Sequence, residues 1–524
     1  MSKGFLSFVL HAHLPFVRHP ESDNLLEELW LFEAISETYL PLLGVFRRLE
    51  DEGVPFRLAV SISPTLAAML EDELLQERYV GHLDRLLELA EKEISRTAGD
   101  GRFQPLALMY RDMFSSARED FTKVYGGRIL KGFDFFMKKG RLEVITTAAT
   151  HAYLPLYQMY PEVIRTQIQI ASRSHCRLFG KAPRGFFLPE MGYYPDLEAP
   201  LKEAGINYFF AASHGLDFAP GCPRGGVYAP VLCPNGLAVF GRDEESADAL
   251  WSDTGGYPGD ISYRDFYRDI GFDLPMDYIA PYIRSSRNAT GFKYYAITGE
   301  TDQKLPYDVE AAQRKIDEHA DNFIYNRLNQ VRRLGESMDR PPLVTAPFDA
   351  ELFGHWWFEG PAWLETLFRK LALTDELELI SPSDYLALYP ENPTVQPVFS
   401  SWGNNGYSEV WLDGSNDWIY RHIHKAAERM EELARRYPDE KGLKERSLNQ
   451  AAREILLSQA SDWPFIMHAG TTVPYAVRRI KEHLSNFSRI YEALSSGVVS
   501  TEWLLKLEQK NTIFPELDYR IFRG

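Results

Sequence analysis

Short apolar, β-prone runs recur between long stretches of helical periodicity, and this alternation constrains the chain more than any other feature. The runs fall at residues 6–10, 57–62, 142–146, 185–188, 208–211, 343–347 and 377–380. Helical patterns cover 25–49, 65–89, 109–138, 160–179 and 309–338. Strands separated by helices build a parallel sheet from βα units. The first 380 or so residues are long enough to close such a sheet into a βα barrel with insertions. Two intervals break the rhythm. Residues 213–262 are rich in Gly, Pro and Asp, as in Gly255-Gly256-Tyr257-Pro258-Gly259-Asp260. A structureless loop of that length is improbable in a compact core, so the interval reads as an insertion. A second shift comes at 391–406, and the helical patterns beyond it, at 417–437, 447–459, 473–495 and 502–509, predict a C-terminal helical domain.

The 524 residues carry 57 Lys and Arg against 74 Asp and Glu, a net charge of −17. That balance repels phosphate backbones, and no basic patch offsets it, so no nucleic-acid partner is expected. One core seldom grows past about 300 residues, which predicts two or three domains. Cys176, Cys222 and Cys233 are too few and too scattered for a disulfide framework or a thiolate zinc site, and they suit a reducing compartment. No run approaches the roughly 18 apolar residues that span a bilayer, so no membrane partner is expected. The apolar stretch from Gly4 to Leu10 has one Lys before it and no small-residue cleavage site after it. It reads as a buried first strand, and a cytoplasmic location is expected. The 28 Tyr, 32 Phe and 10 Trp fill cores in most proteins, but they also suit a sugar, whose apolar face stacks on a ring.

In a βα barrel, chemistry gathers at the C-terminal ends of the strands. Here those ends are polar. The first run leads into His11-Ala12-His13-Leu14-Pro15, the third into Thr147-Ala148-Ala149-Thr150-His151, the fourth into Leu188-Pro189-Glu190, and a later one into Pro347-Phe348-Asp349-Ala350-Glu351. A carboxylate directly after an apolar strand loses hydration unless partners offset it. A strand-end acid also serves as a helix N-cap, a role Asp349 fits better than Glu190 does. His11 and His13 share one face of a strand and are either metal ligands or core imidazoles with backbone partners. Two carboxylates facing each other across an aromatic pocket form the constellation for glycoside cleavage, one attacking the anomeric carbon and the other moving the proton.

Four segments together resemble glycoside hydrolase family 57, in particular its branching-enzyme and α-amylase subgroup. They are His11-Ala12-His13-Leu14-Pro15, Phe187-Leu188-Pro189-Glu190, the block from Phe348 through Asp349 to His355-Trp356-Trp357, and Ser458-Gln459-Ala460-Ser461-Asp462-Trp463-Pro464-Phe465. The resemblance implies an α/β fold: a (β/α)7 barrel, distorted and TIM-like, with an inserted small domain and an all-helical C-terminal domain. Mapped here, the barrel takes 1–190 and 263–395, the insertion 191–262 and the helical domain 396–524. It implies a retaining mechanism without metal or cofactor, Glu190 as nucleophile and Asp349 as acid/base, acting on an α-1,4-glucan such as amylose, glycogen or starch. Candidate substrate-binding residues are His11, His13, His151, Tyr257, Tyr295, His355, Trp356, Trp402, Trp411 and Asp462.

Two departures bear on activity. Tyr295 stands where the branching enzymes carry a Trp, and a Tyr still stacks. The stretch from Ser213 to Tyr228 is shorter than their loop, which lays a Tyr over the active site. A lid that excludes water favours transfer over hydrolysis, so a hydrolytic α-amylase stays open beside the branching reading. A metal-dependent deacetylase using His11 and His13, and a catalytically silent glucan-binding protein, are more distant alternatives. Oligomeric state is not legible.

Overall fold

In a computed structural model, residues 3–524 are described except 24, 224, 253, 254 and 285. Among them run nine strands: β1 (Gly4–Ala12), β2 (Leu58–Ile62), β3 (Leu142–Thr147), β4 (Gly185–Phe187), β5 (Tyr208–Ala211), β6 (Val231–Leu232), β7 (Ala238–Gly241), β8 (Leu343–Asp349) and β9 (Leu377–Leu379). All seven expected runs are strands. β1, β2 and β3 are buried along their whole length. Cover on both faces explains why they read as continuous apolar runs instead of alternating ones.

The strands lie in the order β6-β7-β5-β4-β3-β2-β1-β8, with β9 against the start of β1. Every pairing is parallel except β6 with β7. The ends of the sheet meet where the Asp243 amide, just past β7, donates to the Thr345 carbonyl in β8 at 2.9 Å. Seven parallel strands, β7 round to β8, thus curl into a distorted (β/α)7 barrel.

The stretch 191–262, expected to be a separate insertion, contains β5, β6 and β7, which belong to this sheet. β6 and β7 are two and four residues long and are joined through Cys233-Pro234-Asn235-Gly236, so turn chemistry hid them. The excursion that adds no strand to the sheet comes later, between β7 and the long helix Val309–Gly335, and carries short helices such as Glu244–Trp251 and Ile270–Asp273.

The helical pattern at 25–49 is two helices, Glu27–Ala34 and Leu40–Asp51, joined by a π turn at Ile35–Tyr39. A π turn inserts an extra residue and rotates the side chains that follow it. This stretch is long and apolar enough to cross a membrane by composition, yet 83% of its most apolar window is buried in the fold. It is a core element. The loop after β8 packs on the π turn so closely that a Cβ at Gly354, whose φ is +119°, would sit 1.7 Å from the Glu37 carbonyl oxygen.

Beyond the barrel come helices Tyr420–Arg436, Leu443–Ser458, Asp462–Ala469, Val473–Ser496 and Thr501–Lys510. Buried Glu454 accepts from His483 at 2.8 Å and from Asn511 at 2.7 Å, which pins three helices together. The bundle docks on the barrel's C-terminal rim. Thr150 donates to the Leu456 carbonyl at 2.6 Å, and the Ser461 amide donates to the His151 carbonyl at 2.9 Å.

Candidate active site

The barrel delivers five chemistry-bearing side chains at its C-terminal rim: His11 and His13 from β1, His151 beyond β3, Glu190 beyond β4 and Asp349 at the end of β8. Sheet register sets their neighbours, pairing His11 with Ser61 on one side and with Asp349 on the other. His151, Glu190 and Met191 have φ of 58°, 59° and 50°. Left-handed backbone at non-glycine residues costs of order 1 kcal/mol or more each, and such strain clusters at functional sites.

This turn brings the Glu190 carboxylate between two donors. Trp402 Nε1 donates to Oε2 at 2.9 Å, and Ser461 Oγ donates to Oε1 at 2.9 Å. Burial raises the Glu190 pKa, and these two hydrogen bonds work against the rise.

One constraint propagates from there. An ionised carboxylate only accepts, so Ser461 spends its proton on Glu190 and must accept from His151 Nδ1, 2.8 Å away. Burial and the neighbouring imidazoles hold His11 and His151 well below the usual histidine range, so both rings are neutral. A neutral ring protonated at Nδ1 has a bare Nε2. His151 Nε2 therefore accepts from His11 Nε2, 2.8 Å away, and His11 Nδ1 accepts from Ser61 Oγ at 3.1 Å. Each tautomer follows from the charge on Glu190.

His13 lies alongside. Its ring stacks on His151 with centroids 3.7 Å apart, Nε2 lies 3.1 and 3.2 Å from the two Asp462 oxygens, and Nδ1 is 2.9 Å from Ser63 Oγ. His13, His151 and Asp462 have ligand atoms within 4.8 Å of one another, the spacing of a metal site. The two ring planes are only 12° apart, so their in-plane lone pairs run side by side instead of converging. Both His151 nitrogens already have partners. The set is built for hydrogen bonding more than for coordination.

Asp349 differs from Glu190. It precedes the 3-10 turn Ala350–Leu352 but makes no cap hydrogen bond to it. No hydrogen bond from a described residue reaches its carboxyl group. Burial first, then the charges of Glu351 and Glu190, push its pKa well above the usual carboxylate range, against Arg242. Arg242, just past β7, also lies over the Trp402 ring, 5.7 Å from its centroid. Glu190, Trp402, Arg242 and Asp349 thus adjoin one another at the barrel rim. It offers one carboxylate fixed by two donors and a second carboxyl whose proton affinity burial and neighbouring charges raise further.

A family model described as glycosyl hydrolase family 57 matches residues 7–397, and one described as the C-terminal part of 1,4-alpha-glucan branching enzyme matches 422–522. This chain belongs to glycosyl hydrolase family 57. Within that family it is 33% identical to a 1,4-alpha-glucan branching enzyme of Thermococcus kodakarensis, over 96% of this chain and 76% of that one. It superposes on the alpha-amylase AmyC of Thermotoga maritima with a TM-score of 0.94 at 44% identity, covering 99% of each chain. It superposes on a branching enzyme of the same family from Pyrococcus horikoshii with a TM-score of 0.90 at 32% identity, covering 100% of this chain and 97% of that one.

In this family-57 chain the remaining candidate residues divide. Trp402 and Asp462 join His11, His13, His151 and the two carboxyls. Trp411 is buried, stacked on Tyr153 at 4.4 Å, and supports the Trp402 loop from behind without presenting a face. His355 pairs with Glu37 at 2.7 Å in the π turn. Trp356 is 43% exposed beside Trp251, at the rim between β7 and β8. Tyr257 does not reach the cleft. It stacks on His319 and donates to Asn322 at 2.7 Å, both on the helix Val309–Gly335. Tyr295 packs on Phe103 under Arg268, in the excursion. Sequence reasoning missed Ser461, Arg242, Tyr39 and the role of Glu351. Ser461 and Glu351 lay inside motifs already singled out; nothing in the sequence marks Arg242 or Tyr39.

Proposed function

We propose that this family-57 chain acts on α-1,4-glucans by double displacement with retention, and that its main reaction is 1,4-α-glucan branching. Glu190 attacks C1 of the bound glucosyl unit and forms a glycosyl-enzyme as the C1–O4 bond breaks. Asp349 gives its proton to the departing O4. It then takes the proton of an incoming 6-hydroxyl, whose oxygen attacks C1, releases Glu190 and leaves an α-1,6 branch. His11, His13, His151 and Asp462 hold the glucosyl hydroxyls, and Trp402 and Trp356 offer ring faces. No metal enters the scheme. The fold is assigned a barrel to about residue 395 and a helical unit from 396, and the protein a cytoplasmic place in storage-glucan synthesis.

The observation that carries this reading is the asymmetry of the pair, one carboxylate held by two donors and the other with none from a described residue, at a rim to which the C-terminal bundle adds Ser461 and Asp462. Hydrolysis by the same pair is the second reading. It is favoured by the region after β5, where a short helix, Ser213–Asp217, and a 3-10 turn, Gly226–Tyr228, leave Phe218 70% exposed. Amylose incubated with the protein separates the two. Branching shifts the iodine spectrum with few new reducing ends, and isoamylase then releases short chains. Hydrolysis generates reducing ends steadily and leaves isoamylase nothing to cut. Absence of both changes would sink the α-glucan reading.

A further inference from the structure

A third acid sits beside the pair. Glu351, two residues past Asp349 and 6% exposed, has its Oε1 fixed by two donors, the Tyr39 hydroxyl and the His13 amide, the latter at 3.3 Å. Tyr39 is 1% exposed and closes the π turn Ile35–Tyr39, so an irregular helix is what aims its hydroxyl there. Burial raises the Glu351 pKa, and the Tyr39 hydroxyl and His13 with its amide oppose the rise; both donors favour the ionised form, which only accepts. The neighbouring Asp349 has no donor from a described residue.

We propose that Glu351 is a positioning residue for the acid/base: anchored by Tyr39 and the His13 amide, it holds a second acidic group against Asp349, two residues away, while fixing the backbone of His13. This rests on the reading of Asp349 as the acid. The charges facing Asp349 are Glu351 on its own segment, Glu190 beyond β4 and Arg242 beyond β7; those facing Glu351 are Tyr39 and His13. Among the groups acting on Asp349, Glu351 exceeds Glu190. The retaining pair therefore does not set its own protonation pattern unaided. The field persists in the glycosyl-enzyme, when Glu190 is esterified and its charge is gone: Asp349, having given its proton to O4, keeps a raised proton affinity and so takes the proton of the incoming hydroxyl. Glu351 thus supplies a constant field through both half-reactions, where the nucleophile supplies one only in the first.

The test is a pH series on Glu351→Gln, Glu351→Asp and Tyr39→Phe. The alkaline limb of kcat/KM on amylose reports loss of the Asp349 proton, so removing a neighbouring negative charge moves it down. Glu351→Gln is expected to lower it by about one pH unit or more, Tyr39→Phe by less in the same direction, and Glu351→Asp to restore it towards wild type. A 13C-carboxyl titration of aspartate-labelled protein, with the Asp349 signal identified by its loss in Asp349→Asn, reads the same quantity without substrate. Should wild type act on no α-glucan, that titration still decides the matter. An unmoved limb and an unmoved Asp349 titration in Glu351→Gln, or in Tyr39→Phe if the first variant does not fold, would overturn the proposal, as would Glu351→Asp behaving like Glu351→Gln.

Discussion

Ser461 donates its hydroxyl to Glu190 Oε1 at 2.9 Å across 271 residues of chain, from the N-cap of the helix Asp462–Ala469 in the C-terminal bundle to the rim of the barrel. The bond joins two structural units at the reacting atom, and it is the last link of the chain from Ser61 through His11 and His151.

Glu190→Gln removes the attacking oxygen's charge while keeping its shape. Turnover should fall by on the order of 10⁴-fold or more, with an unchanged circular-dichroism spectrum and melting temperature. Retention of more than a few per cent of activity contradicts the nucleophile assignment.

Ser461→Ala takes away one donor to an ionised group, worth about 1.5–3 kcal/mol. Its hydrogen bond opposes the upward shift at Glu190, so its loss lets the Glu190 pKa rise. Because the nucleophile must be ionised, the acid limb of kcat/KM should move to higher pH, with a drop of roughly 10–100-fold at neutral pH. A limb that stays put would mean the bond only holds the bundle in place.

Trp402→Phe keeps a ring near Phe187 and Arg242 but deletes the indole N–H. If the donor matters, the acid limb shifts as in Ser461→Ala and KM changes little. A rise in KM alone would make Trp402 a stacking surface only.

Asp349→Ala should retain the first step on glucosyl fluorides, whose leaving group needs no proton, while failing on amylose. Equal loss on both substrates counts against Asp349 as the acid.

Gly354→Ala tests the packing behind the site. A methyl group there meets the Glu37 carbonyl and demands left-handed backbone, so about 3 kcal/mol of stability should be lost, read by thermal or urea denaturation. A variant as stable as wild type would mean the π turn yields freely.

The barrel was legible because β1, β2, β3, β5 and β8 are apolar on both faces and stand between long helical patterns. β6 and β7 were not: they are too short to show a period and sit among glycines and prolines. The π turn was invisible because Glu37 and Tyr39 continue the helical spacing of their neighbours, and only the backbone hydrogen bonds distinguish it. The carboxyl pair and the histidines were readable because chemistry at strand ends is a property of the fold. Tyr257 misled because an aromatic side chain in a glycine-rich stretch looks the same whether it meets sugar or, as here, His319. The short helix Asp462–Ala469 carries an almost unbroken apolar face and little amphipathic signal, so no expected helix took in Ser461 and Asp462.

The docking of that short helix has a temporal meaning. A nascent chain that has emerged only through β9 already possesses Glu190, Asp349 and all the sheet's strands, yet it lacks the indole and hydroxyl that hold Glu190 and the carboxylate that faces His13. Competence to break a glycosidic bond therefore arrives late in synthesis, once Trp402, Ser461 and Asp462 have all emerged, and incomplete translation products should be inert toward α-glucan.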